Sequence, residues 1–304
     1  MLNLNVNNET SKLKAVVLGT ALSLGPTPKL EDCYDPKSRE HVLNNTYPNE
    51  EDLIQEMDEF FQVLKKYNVT VYRPEKIMDY NQIFSRDIAF VIENKFVFAN
   101  VVKERSKEIN GIEHVYNQID DQHLIRLPDS CRVEGGDVML WGNYVFIGTY
   151  TADDYSEYIT ARTNMQAVDV IEKLFPNKTI IPFELIKSND DPRNNALHLD
   201  CCFQPVGENK AIICPEGFLD KNQYQWIVDL FGSDNIFEIT KEEMYNMHCN
   251  IFSIDHNVVV SDRTFDRLNS WLEENNFVVE KIKYTEASKQ GGLLRCSTLP
   301  LIRE

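Results

Sequence analysis

Five times along its 304 residues the chain sets a polar residue before a short apolar run, a turn and often a second apolar run. Arg86-Asp87 precede IAFVIENKFVFAN, and Glu134-Gly135-Gly136-Asp137 precede VMLWGNYVFIGT. His198-Leu199-Asp200 precede CCFQPVGENKAIIC, Asn250 precedes IFSIDHNVVV, and Cys296 precedes STLPLI. From Asp87 through Glu134, His198 and Asn250 to Cys296 the steps are 47, 64, 52 and 46 residues. So loose a period still points to repeat or propeller architectures, in which each unit buries its apolar face against its neighbours. The turns Glu93-Asn94, Gly142-Asn143 and Gly207-Glu208-Asn209 have hairpin chemistry.

Helical patterns fill the intervals. Leu53, Met57, Phe60, Phe61 and Leu64 share one face within 49–66. Ile159, Val168, Ile171, Leu174 and Phe175 do so within 156–175, where Pro176 ends the run, and Phe265, Leu268, Trp271 and Leu272 do so within 264–274. The first strand is expected at Ala15–Leu18. With no Pro/Gly/Ser linker, the chain reads as one α/β domain over 1–304. If every unit starts at the same end of a closed ring, Asp87, Glu134, His198, Asp200, Asn250 and Cys296 meet at one mouth, where α/β folds place chemistry.

Charge narrows the partners. Lys and Arg number 31 against 48 Asp and Glu, a net charge of −17. That argues against nucleic acid, whose readers carry basic patches, and against an anionic membrane surface, but it suits a small cationic ligand. The sequence shows neither a membrane-length apolar run nor a signal-peptide pattern. Seven scattered cysteines read as reduced thiols, so a cytoplasmic location is expected. Self-association into a homo-oligomer is left open by the sequence.

Taken singly, the polar residues are ambiguous. Cys296 alone is most simply a small buried hydrophobe, and Gly291 and Gly292 before it allow a sharp turn. His198 and Asp200 would share one face of a strand. Glu134 to Asp137 could be an ordinary turn, Arg86-Asp87 an ordinary strand start, and Arg162 a solvated arginine on a helix. The polar loop 188–196 could cover the mouth. A metal held by His198, Asp200, Cys201 and Cys202 has poor support, because no C-x-x-C or H-x-x-x-H spacing is present.

Taken together and in order, FSRD, VEGGDV, ARTNMQA, HLDCCF, CNIFSI and GGLLRCSTLPL resemble the guanidino-group-modifying enzymes, or penteins. These include arginine deiminase, dimethylarginine dimethylaminohydrolase and the amidinotransferases. The resemblance covers nearly the whole chain. It implies a five-bladed α/β propeller of ββαβ repeats with pseudo-fivefold symmetry. It also implies Cys296 as nucleophile, His198 as general acid and base, and Glu134 as the acid orienting it. Asp87 and Asp200 match the carboxylates that grip a guanidinium, and Arg162 matches a binder of the substrate's α-carboxylate. Asp137 and Asn250 are further candidates for substrate binding. Neither metal nor cofactor is implied.

Such residues suit this chemistry. A guanidinium is planar, always charged, and offers five N–H donors in a fixed fork that carboxylates accept. Its central carbon is a poor electrophile, so a thiolate is the fitting nucleophile, and a bound cation favours that thiolate. The expected reaction is hydrolysis of arginine or an N-substituted arginine through an S-amidino-cysteine, giving a citrulline-type product. An amidinotransferase is the alternative, although Ser297-Thr298-Leu299-Pro300 replaces the tryptophan and arginines usual after its cysteine. A non-catalytic binding propeller is the third reading, against which stand Cys296 and His198. Arg295 stands where many relatives carry His or a small residue, so no leaving-group pocket is carried over from them.

Overall fold

Every apolar pair becomes an antiparallel hairpin, and every hairpin gains a third strand parallel to its second. In the computed structural model, which describes all residues from Met1 to Glu304, β1 (Leu13–Leu18) and β2 (Thr70–Tyr72) come first. One sheet joins β3 (Ala89–Ile92), β4 (Lys95–Phe98) and β5 (Leu124–Arg126); the next joins β6 (Val138–Trp141), β7 (Tyr144–Thr149) and β8 (Thr179–Glu184). A further sheet holds β9 (Phe203–Val206), β10 (Lys210–Ile213) and β11 (Ile236–Glu238). Another holds β12 (Phe252–Asp255), β13 (Val258–Asp262) and β14 (Val278–Ile282). The fifth is built from both ends of the chain: β15 (Thr298–Arg303) runs antiparallel to β1, which runs parallel to β2. This is the five-bladed α/β propeller expected from the repeat, closed by its terminal strands.

The helices are α1 (Pro36–Leu43), α2 (Glu50–Lys66), α3 (Glu113–Tyr116), α4 (Met165–Leu174), α5 (Lys221–Phe231), α6 (Lys241–Tyr245), α7 (Asp266–Glu274) and α8 (Thr285–Ser288). α2 starts where Asn49 accepts the Asp52 N–H, with acids in its first turn and lysines in its last, complementing the helix dipole. Its Leu53, Met57, Phe60 and Leu64 are buried as the sequence stripe predicts, each contributing about 1.5–3 kcal/mol. The helix expected over 156–175 is shorter. Asn164 caps it by accepting the Ala167 N–H, so residues before Met165 stay outside and Ile159 is exposed. β1 begins at Leu13, two residues before the expected start. No helix is long and apolar enough to cross a membrane.

Candidate active site

The five leading polar residues do not sit on strands. Each lies in a tight turn just before the first strand of its blade: Asp87 before β3, Glu134 to Asp137 before β6, His198 to Cys201 before β9, Asn250 before β12 and Cys296 before β15. The strand geometry expected for His198 and Asp200 is therefore corrected, because Leu199–Cys201 is a 3-10 turn. Hydrogen bonds link turn to turn in a circle. Gly135 N donates to Asp87 O (3.2 Å), Leu199 N to Asp137 Oδ1 (2.9 Å) and Asn250 Nδ2 to Asp200 O (3.2 Å). Arg295 N donates to Asn250 O (3.2 Å), and Arg86 N to Cys296 O (2.9 Å). Residues spread over 210 positions are thus joined by pairing of buried polar groups, which rarely stay unpaired.

Cys296 is caged. Asn250 Nδ2 donates to its sulfur at 3.1 Å, Asn250 Oδ1 accepts its backbone N–H at 3.0 Å, and the thiol points at Asp200 Oδ2 at 3.4 Å. Burial, followed by the negative charges of Asp200 and Asp87, raises its pKa well above the ordinary thiol value. Without a cation between these acids the sulfur stays a thiol.

His198 lies across the ring. Its Nε2 is 2.8 Å from Glu134 Oε2, and its Nδ1 is 3.6 Å from Asp87 Oδ1. Burial opposes its charge, but Asp87, the hydrogen bond to Glu134, and Asp137 outweigh burial and lift its pKa to about 9. The ring is an imidazolium at neutral pH. Glu134 fixes one nitrogen, leaving Nδ1 on the Asp87 side for proton transfer. Glu134 is desolvated, yet Arg162, His198 and Arg105 hold its pKa far below the carboxylate range. Gly136 is required here by proximity. A Cβ would stand 2.6 Å from His198 Nδ1 and 2.8 Å from Asp87 Oδ1.

Both candidate clamp carboxylates already face an internal arginine. Asp87 Oδ2 receives Arg105 Nη1 (2.5 Å), while its Oδ1 accepts the Gly136 N–H (3.1 Å). Asp200 Oδ2 receives Arg295 Nη1 (2.8 Å). Behind Arg105 stands Glu108, bonded to it through two nitrogens at 2.7 and 2.8 Å; behind Arg295 stands Glu9, bonded at 3.1 and 3.1 Å. Neither Arg105 with Glu108 nor Glu9 stood out in the sequence. An R-x-x-E spacing is ordinary on helix surfaces, and Glu9 lies in a polar leader without periodicity. Arg295 was visible only as an unusual neighbour of the cysteine.

Three expected substrate binders have buried partners within the protein. Arg162 gives its donors to Glu134 (2.9 and 3.1 Å), Tyr34 O (2.7 Å) and Ile159 O (2.7 Å). It braces Glu134 and precedes α4 instead of lying within a solvated helix. Asp137 accepts from Thr163 Oγ1 (2.6 Å) and Leu199 N, which joins two turns. Asn250 uses both amide atoms on the loop carrying Cys296 and on Asp200. Loop 188–196 is tied down, with Arg193 bonded to Glu242 (3.0 Å) and Glu40 (3.3 Å). Tyr34 also lies close by, its carbonyl accepting from Arg162. Cys296 and His198 are 2% and 1% exposed.

Ligand atoms of Asp87, Glu134 and His198 lie within 4.8 Å of one another, close enough to hold an ion. Arg105 and Arg162 already compensate the two carboxylates, however, and His198 is charged. A metal would have to displace two buried guanidiniums and a proton, so the donor set fits one badly.

The ring of turns and the five blades define a pentein. The N-terminal domain of ArgZ, in a structure described as covalently bound to a reaction intermediate, superposes with a TM-score of 0.77 at 18% identity, covering 95% of this chain and 98% of that one. The inosamine-phosphate amidinotransferase StrB1 of Streptomyces griseus gives a TM-score of 0.76 at 15% identity, covering 100% and 97%. The uncharacterized protein YkgA of Bacillus subtilis (strain 168) is 27% identical over 244 residues, 80% of this chain and 77% of that protein. Residues 35–303 match the model of the family described as N,N dimethylarginine dimethylhydrolase, eukaryotic, and the chain belongs to that family.

Proposed function

We propose that the protein hydrolyses the guanidino group of arginine or an N-substituted arginine through a covalent adduct on Cys296. The observation that carries this reading is the pairing around the thiol. Asp200 and Asp87 suppress its ionisation, and a charged imidazole held by Glu134 stands beside Asp87. A guanidinium entering between the carboxylates supplies the missing positive charge, so the thiol gives up its proton to solvent as the cation binds, and the thiolate forms when its target is in place.

The sulfur attacks the guanidino carbon, forming a C–S bond. The tetrahedral adduct collapses by breaking one C–N bond, and His198 gives its proton to the departing nitrogen. This acid step is worth ~10²–10⁴-fold. His198, now neutral, takes a proton from water, which attacks the amidino carbon. The C–S bond breaks, leaving a ureido product, an amine or ammonia, and the free thiol. The substrate is a small cation, in keeping with the surface charge; nucleic acid and membrane are not expected partners, and the activity is placed in the cytoplasm. The dihydrolase and amidinotransferases among proteins of the same fold support a guanidino substrate.

Incubation with arginine, methylated arginines and agmatine should release a ureido product from at least one of them. Mass spectrometry of quenched enzyme should show the amidino adduct on the peptide carrying Cys296. Turnover of none of these guanidines overturns the reading. Ornithine-type product with little ureido product when glycine is added assigns the amidinotransferase instead.

A further inference from the structure

Away from the thiol, a cleft of about 380 Å³ opens between α1, the chain after α6, and α8. Its volume is that of a small-molecule site. In a chain of net charge −17, no Asp or Glu lines it, whereas Lys37, His41, His248 and Lys289 do. Thr264, Thr285 and Ser288 add hydroxyls.

Lys37 is the unusual member. Its side chain is buried, and its ammonium group meets no carboxylate: it donates to Tyr245 O at 2.5 Å and lies 4.5 Å from the centre of the Tyr245 ring. A buried cation without an anion is costly unless one is supplied. Lys289 is held by Glu286 at 2.6 Å, which stands behind the cleft and not in its lining. His248 stacks on Phe265 with ring centres 3.8 Å apart, and its Nδ1 is buried without a partner.

We propose that this cleft binds a small phosphate-bearing anion, with Lys37 and Lys289 as its cationic partners and the Thr285 hydroxyl as an additional donor; the Thr264 and Ser288 hydroxyls already donate to Asp262 Oδ1 (2.6 Å) and Thr285 O (2.7 Å). A tetrahedral dianion suits two ammonium groups and a hydroxyl, which act as point donors without a planar fork. The local potential agrees. Burial lowers the His41 pKa, Lys37 and Lys289 lower it further, and Glu40 and Glu286 act in the opposite direction. Leu293, three residues before Cys296, also lines the cleft, so an occupant would touch both α1 and the nucleophile loop. The proposal does not depend on the reaction assigned above.

Titration calorimetry of the full chain with inorganic phosphate and with phenyl phosphate tests it. Saturable binding to one site is expected, weakening about tenfold in Lys289→Gln through loss of one charge-assisted contact. Lys14→Gln, on a distant surface, should leave it unchanged. Because Lys37→Gln risks the fold, His41 provides a second readout: its NMR pKa should rise when phosphate binds. No saturable binding, binding indifferent to Lys289→Gln, or a His41 titration unmoved by bound phosphate would each overturn the proposal.

Discussion

Two arms of the site share one construction and differ in charge balance. In each, an aspartate of the candidate site faces a buried arginine, and a buried glutamate backs that arginine: Asp87–Arg105–Glu108 on one side, Asp200–Arg295–Glu9 on the other. Around Glu9, cations are in excess. Burial raises its pKa, but Arg295, Arg86 and Arg303 outweigh burial and bring it to about 2. Around Glu108, acids are in excess. Burial dominates, Arg105 opposes it, Asp87 and Glu134 add to it, and the pKa climbs to about 7. The same three-residue relay is therefore locked as ions on the thiol side and can titrate on the histidine side. Local charge count, not the motif, decides which arm responds to pH.

The largest effect is expected where the arms converge. Cys296→Ser or His198→Ala should reduce turnover by at least ~10²–10⁴-fold, with circular dichroism unchanged. A near-normal rate in Cys296→Ser would mean that neither arm serves a thiol. Next comes the fold. Arg295→Met leaves Glu9 and Asp200 buried without a cation and should cost about 3–5 kcal/mol in urea unfolding. Arg105→Met should cost less, about 1–3 kcal/mol, because Glu108 can take up a proton. Equal losses would remove the distinction between the arms.

The smallest effect sharpens the comparison most. The native pKa of Glu108 lies above its unfolded value of 4.5. Its contribution to stability is complete below pH 4.5 and is lost as pH rises through about 7. His198 behaves likewise between 6.5 and about 9. Glu9, with its pKa lowered, stabilises above pH 4.5 and loses that contribution as pH falls through about 2. Unfolding free energies across pH should therefore show Glu108→Gln flattening the decline between pH 4.5 and 7, with the decline above 6.5 retained. Glu9→Gln should lower stability at neutral pH and change the slope with pH only on the acid limb, between about 2 and 4.5.

Much of the ring was legible because apolar hairpins recur and their leading residues are polar. Hydrophobic patterning specifies blades well, and α2 emerged as its stripe required. The nearness of Cys296, Asn250, Asp200, Asp87, His198 and Glu134 followed from ring closure. The internal partners of these and other polar residues did not. Arg162, Asp137 and Asn250 are the residue types that bind substrates, but equally the types that satisfy buried partners, and only three-dimensional neighbours separate the two uses. Strand alternation failed at His198–Cys201, since the chain makes a short helical turn before β9. Arg105, Glu108 and Glu9 left no signal, because pairing between distant charges has no sequence period.

The closing blade ties the position of the thiol to a pairing that is distant in sequence. Cys296 stands two residues before β15, and β15 is held by β1 near the opposite end of the chain. Arg303 anchors that seam, its guanidinium donating to Ser11 O and Ser253 O. Without β15 docked on β1, that blade keeps only β1 and β2, and the turn carrying Cys296 loses the strand that follows it. The placement of the sulfur beside Asn250 therefore rests on a pairing between strands far apart in sequence, and a substitution that loosens this seam is expected to shift the thiol as well as weaken the fold.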